Sequence, residues 1–160
     1  MATKIEEIMT RDVECATPDM SIRQVAEKFK SRDIGSMPVC EGRRVVGVIT
    51  DRDITIRAVA EGKDCERTTA SDVMSKDVIV CRTTDTVDDA EKTMHDRQIR
   101  RLPIVDDQGD LAGYLAMAKL ARTGSESDAG KVLRGISEPQ PPKPMEESLD
   151  QNRGSRRKTG

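Results

Sequence analysis

The residues of this 160-residue chain best suited to chemistry lie in one run, Gly47-Val48-Ile49-Thr50-Asp51-Arg52-Asp53, where a β-branched stretch gives way to a helical one. Strand-to-helix junctions of this kind bind anions. Glycine lets a ligand approach the backbone, the free amides of a first helical turn and a hydroxyl donate to phosphate, and a carboxylate accepts both hydroxyls of a ribose. The same spacing, Thr50 with Asp53 three positions on, also makes an N-cap followed by an acid that the helix dipole favours. The run alone leaves both readings open. Arg100-Arg101 is the second polar feature. A guanidinium fork clamps phosphate, whereas an arginine pair at a loop edge is otherwise a solvated surface feature worth little to stability.

No catalytic set accompanies these groups. The sequence has no His-Glu-x-x-His, no Walker loop and no Gly-x-Gly-x-x-Gly turn, and its single histidine, His95, sits in a helical stretch without an evident partner for a Ser-His-Asp arrangement. The chain therefore reads as a binding protein and not an enzyme. Cys15, Cys40, Cys65 and Cys81 are scattered without a Cys-x-x-Cys pair and read as buried thiols, with a redox pair or a metal site assembled in space as the alternative. Charged residues make up 35% of the chain with a net charge of only −2, so no long-range field favours nucleic acid. Phe29 and Tyr114 are the only aromatics, which removes stacking platforms for single strands. Residues 1–14 contain no apolar signal, and no run of 18 apolar residues occurs, so a soluble cytoplasmic protein without membrane contact is expected.

The elements that must hold the run in place occur twice. Residues 9–54 are echoed by residues 74–120 at an offset of 65 and then 66. Within each copy the hydrophobic period changes in the order strand, helix, strand, strand, helix. In copy one, residues 12–16 are extended, Ser21 and Gln24 make a capping box, and Ile22, Val25, Ala26 and Phe29 form an apolar helical stripe. A hairpin turns at Glu41-Gly42-Arg43-Arg44, and a second helix runs from Asp51 until Gly62 stops it. Copy two repeats the plan with an extended piece at 78–81, a helix opened by Thr86, strands at 102–105 and 111–115, and a last helix closed by Gly124. One repeat of about 55 residues buries too little surface to be secure, so the two are expected to share one core. The expected boundaries are repeat 1 at 5–62, a polar linker at 63–71, repeat 2 at 72–124, and a disordered Pro-rich and basic tail at 125–160.

The doubled pattern, with Ile34-Gly35-Ser36-Met37-Pro38-Val39 and the Gly47–Asp53 run in one copy and Ile99-Arg100-Arg101-Leu102-Pro103-Ile104 in the other, closely resembles a tandem CBS-domain pair, or Bateman module. Short stand-alone bacterial proteins of this kind, similar to the hypoxic response proteins, look nearest. The resemblance implies an α/β (α+β) fold of two β-α-β-β-α repeats packed through their sheets about a pseudo-twofold axis, and two clefts that take adenosine-containing ligands. Copy one carries the family's Gly-h-x-Thr-x-x-Asp motif intact, where h is hydrophobic. Carried over by position, Thr50 contacts phosphate, Asp53 the ribose hydroxyls and Val48 the adenine neighbourhood, while Val78 and Ile79 wall the adenine and Arg100 and Arg101 approach the phosphates. AMP, ADP or ATP is the implied ligand, ahead of S-adenosylmethionine and NAD, with no obligatory cofactor. A homodimer reporting to an unknown protein target is implied as well. The alternatives are a ligand-free, stress-associated dimeric interaction protein and a cysteine-based metal or redox sensor. Copy two has Ala116 and Lys119 where copy one has Thr50 and Asp53, and Gly35-Ser36 stand opposite in place of the arginines, so the mirror cleft is expected to be weak or empty.

Overall fold

In the computed structural model, which describes residues 2–123, the chain runs through α1 (Ile5–Ile8), α2 (Ile22–Arg32), β1 (Ser36–Glu41), β2 (Arg44–Thr50) and α3 (Asp51–Ile54), which continues as a π-helical turn (Thr55–Val59). It goes on through α4 (Ala70–Val73), β3 (Cys81–Arg82), α5 (Val87–Arg97), β4 (Arg101–Val105), β5 (Leu111–Ala116) and α6 (Met117–Thr123). Gly124 and the expected tail lie outside the described residues.

Local chemistry accounts for the helix ends. Ser21 caps α2 with a reciprocal bond to Gln24, and Thr86 caps α5 with one to Asp89, so each side chain satisfies a backbone amide that the first turn leaves free. Both helices end on a left-handed residue, Asp33 at φ 52° and Gln98 at φ 54°, 65 positions apart. Strands β1 and β2 pair antiparallel around Gly42, whose φ of 58° suits the tight turn, and β4 and β5 pair around Gly109 in the same way. The extended piece ahead of each helix joins its sheet in parallel, Ala16 beside Val39 and Cys81 beside Ile104.

The repeats exchange short segments. Thr10 pairs with Tyr114 of β5 through two backbone bonds of 2.9 Å, and Ser75 pairs with Val48 of β2 at 2.9 and 3.1 Å. Those two pairings are images of each other under the repeat, which is the pseudo-twofold relation. The segment leading into copy one thus adds to the sheet of copy two, and the reverse. Glycine is required at each crossing, because a Cβ on Gly47 would run into Met74 and one on Gly113 into Met9.

Two hydrophobic clusters result, not the single shared core expected from the sequence. The first joins Ala16, Ile22, Val25, Phe29, Met37, Val39 and Ile49 to Ala70, Val73 and Met74 of the opposite segment. The second joins Ile5 and Met9 to Ala90, Met94, Leu102, Ile104, Leu115 and Leu120. Each cluster is completed by one helical turn, α4 or α1, too short to bury its apolar side on its own. Helix α4 begins inside the stretch expected to be a linker, and Thr68 and Ala70 there are buried.

Candidate functional site

The run at the end of β2 folds as its spacing requires. The Asp53 amide donates to Thr50 Oγ1 at 3.1 Å, and the Thr50 amide donates to Asp53 Oδ2 at 2.9 Å, forming a capping box over α3. The capping role is therefore realised. It uses one acceptor position on each side chain and leaves the threonine hydroxyl proton and the carboxylate Oδ1 for other partners. Oδ1 has Arg57 Nη1 at 3.9 Å. The π-helical turn after α3 carries that arginine, whose Nη1 also donates to the carbonyls of Val73 and Met74 at 2.9 and 3.2 Å. Arg57 thus ties the motif to the segment that pairs with it from the other repeat. Nothing in the motif spacing pointed to this residue.

Opposite the motif, β4 starts with Arg101, and Arg100 precedes it at the mouth of the sheet. Val48, Thr50 and Asp53 from copy one meet Ile79, Arg100 and Arg101 from copy two around a cleft of about 230 Å³. Ser75, Asp77 and Ile99 complete the lining. Val78, expected on the adenine wall, does not line it and is half-buried beside Ile79. Alternation along an extended chain sends neighbours to opposite sides, so one of the two had to face away. Val48, Ile79 and Ile99 offer an apolar slot for a flat ring, with a hydroxyl, a carboxylate and two guanidinium groups at its polar end. Among the described residues neither arginine is paired with a carboxylate. Ile99 precedes the two arginines in the run Ile99-Arg100-Arg101-Leu102-Pro103 and was not among the expected site residues.

The mirror cleft is larger, about 440 Å³, since Gly35 and Ser36 stand where the first has Arg100 and Arg101. Its chemistry differs throughout. Tyr114 occupies the Val48 position and shares a hydrogen bond with Ser36 Oγ, and burial pushes its phenol pKa above the ordinary value. Glu14 takes the place of Ile79; its ion pairs with Lys28 and, at 3.0 Å, with Arg32 hold its carboxyl below the usual range, the Lys28 contact foremost. Asp12 and Asp33 line the cleft too, and Arg101 reaches both clefts. Lys119 lies outside the lining, with its ammonium 3.5 Å from Thr10 Oγ1.

Among the described residues no group of three or more His, Cys, Asp or Glu side chains could hold a metal ion. His95 is exposed beside Asp96. Cys40 and Cys81 are buried and Cys15 half-buried, whereas Cys65 is exposed, against the expectation of four buried thiols. Among the described residues no helix is long and apolar enough to cross a membrane.

Comparison with known proteins adds to this geometry. The CBS-domain family profile matches residues 5–59 and again 70–125. CBS domain-containing protein YhcV of Bacillus subtilis is 37% identical over 136 residues, 84% of this chain and 96% of its own. Hypoxic response protein 1 of Mycobacterium tuberculosis is 27% identical over 138 residues, 86% of this chain and 96% of its own. A crystal structure of Hypoxic Response Protein I with two coordinated zinc ions superposes with a TM-score of 0.69 at 28% identity, covering 76% of this chain and 99% of that one. The crystal structure of CBSX2 in complex with AMP shares the fold, with a TM-score of 0.66 at 22% identity over 76% of this chain and 95% of that one.

Proposed function

The chain belongs to the CBS-domain family as a tandem pair, and from that premise we propose that it is a regulatory module that holds an adenosine nucleotide in the Thr50/Asp53/Arg100 cleft and reports to a separate protein. One observation carries the reading. The hydroxyl and carboxylate come from copy one and the arginines from copy two, and six of the seven residues expected at the site surround a single cleft. Val48, Ile79 and Ile99 sandwich the base, Asp53 Oδ1 accepts from the ribose, and the Thr50 hydroxyl with Arg100 and Arg101 receives phosphate. AMP, the ligand in the CBSX2 complex, is the first nucleotide to try. At about 230 Å³ the cleft is compact beside the 300–1,000 Å³ of typical ligand sites. The mirror cleft, with Tyr114 in the base position and Glu14, Asp12 and Asp33 along its wall, is the one we expect to bind weakly or stay empty.

Ile56 and Val59 expose 46% and 61% of their surface on the helix that follows Thr50, an apolar face that a second copy would cover in a homodimer. A ligand-free interaction protein is the competing reading, and the completed capping box of Thr50 and Asp53 favours it. Thermal unfolding with AMP, ADP, ATP, S-adenosylmethionine and NAD separates the two. A nucleotide-dependent rise in Tm supports the regulatory reading. A Tm that no nucleotide moves, together with a lower Tm in Thr50→Ala, supports the capping role alone.

A further inference from the structure

We propose that Arg57 is a positioning residue of the nucleotide cleft, holding the Asp53 carboxylate of copy one and the segment that crosses from copy two in one register for a ribose diol. The inference rests on the reading of that cleft as an adenosine site. Arg57 itself is not part of the lining, so it acts through the groups it holds. A single nitrogen does this. Arg57 Nη1 donates to the Val73 and Met74 carbonyls at 2.9 and 3.2 Å and lies 3.9 Å from Asp53 Oδ1. Those carbonyls stand at the end of α4, where a helix leaves acceptors free, and a cationic donor bonds them more strongly than a neutral one.

Both ends of the bridge reach the cleft. Asp53 Oδ2 is committed to the Thr50 amide at 2.9 Å, which leaves Oδ1 for a ribose hydroxyl. With an amide on one oxygen and a guanidinium facing the other, the carboxylate is held in place before a ligand arrives, and an acceptor ordered in advance costs less to engage. At the other end, Met74 precedes Ser75, whose amide and carbonyl pair with Val48 at 2.9 and 3.1 Å. Val48 and Ser75 both line the cleft. Copy two has no such bridge among the described residues. At an offset of 66, Lys119 stands for Asp53 and Thr123 for Arg57. The Thr123 hydroxyl turns back on its own helix, donating to the Lys119 and Leu120 carbonyls at 3.1 Å each. The π-helical turn that carries Arg57 is not repeated either, for α6 is a regular helix over Met117–Thr123. The bridge thus accompanies the cleft that has the ribose carboxylate.

The test compares AMP with 2′,3′-dideoxyadenosine 5′-monophosphate by titration calorimetry on the full-length protein. The two ligands share base and phosphate and differ only in the diol, so the ratio of their dissociation constants reports recognition of the ribose. A merely structural role for Arg57 would weaken both alike and leave that ratio unmoved. In Arg57→Met the preference for AMP should shrink about fivefold, the scale of a half-exposed ion pair. In an Asp53→Ala background the same substitution should leave the ratio where Asp53→Ala alone puts it, because the acceptor through which Arg57 acts is gone. Should Arg57→Met not fold, Arg57→Gln, whose amide still serves a carbonyl without the charge, reads the same ratio. A wild-type preference that persists in the Arg57 variants overturns the positioning role and leaves the nucleotide reading standing. A wild-type protein that binds neither ligand removes the adenosine reading itself, and one that binds both equally removes the ribose role of Asp53; either overturns the proposal at its premise.

Discussion

The two clefts between the repeats are built from matching positions on one scaffold and differ at nearly every chemical group. Around the first, Val48, Thr50 and Asp53 face Ile79, Arg100 and Arg101; around the second, Tyr114 and Ala116 face Glu14, Gly35, Ser36 and the shared Arg101. The first concentrates donors for an anion beside an apolar slot. In the second, Glu14, Asp12 and Asp33 line a larger space and a hydrogen-bonded tyrosine stands in the slot. Backbone symmetry and side-chain asymmetry thus have different sources: the exchanged segments fix the scaffold of both clefts, and a few side-chain differences decide what each cleft can hold.

The scaffold side of that comparison is the easier to break. Ile49 and Leu115 are equivalent, fully buried residues, one in each core. Ile49→Ala and Leu115→Ala should each cost about 2–5 kcal/mol. Because each core contains a segment of the other repeat, denaturant unfolding followed by two probes should remain a single transition in both variants. Two separated transitions would show that the repeats fold independently. Gly47→Ala and Gly113→Ala come next. An added Cβ would also lie 3.0 Å from the Ser75 carbonyl oxygen in one case and from that of Thr10 in the other. Each should lose about 1–3 kcal/mol in chemical denaturation, but only Gly47→Ala should also weaken nucleotide binding, since its crossing forms the wall next to Val48.

Acid should have the smallest effect, acting through matching caps in the two halves, with the ion-paired Glu14 adding to the first. Hydrogen bonds from Thr69 and Thr86 hold Asp72 and Asp89 below the ordinary aspartate value of 3.8. For a carboxylate with a lowered folded-state pKa, the stabilisation is present above the unfolded-state value and is lost as pH falls through the folded one. Tm should therefore be level from neutral pH down to about 4 and decline below it. In Asp72→Asn or Asp89→Asn that decline should be shallower. A decline that starts near neutrality would assign the acid response to other groups.

The fold was legible because its signals are local. Capping boxes at Ser21 and Thr86, turns at Gly42 and Gly109, and alternation within each hairpin all act within a few residues. What escaped the sequence depends on pairings far apart along the chain. Nothing in the polar stretch before Ala70 announces that α4 completes the first core, and nothing near Ile5 announces that α1 completes the second. The same holds at the site. Thr50 and Asp53 could be found from spacing and family motif, and the arginines from their contrast with Gly35-Ser36. Arg57 acts across the repeat on the Val73 and Met74 carbonyls, and Tyr114 acts through Ser36, so neither had a neighbour in sequence to betray its role.

The difference between the clefts is tested most directly by titration calorimetry of AMP into the wild-type protein, Asp53→Ala and Lys119→Ala. The expected result is one AMP per chain for the wild type, and unchanged affinity in Lys119→Ala. Asp53→Ala should weaken binding by about 1–3 kcal/mol, the worth of a charged hydrogen bond. Absence of heat, two equivalent sites per chain, or an Asp53→Ala protein that binds as the wild type does would contradict it.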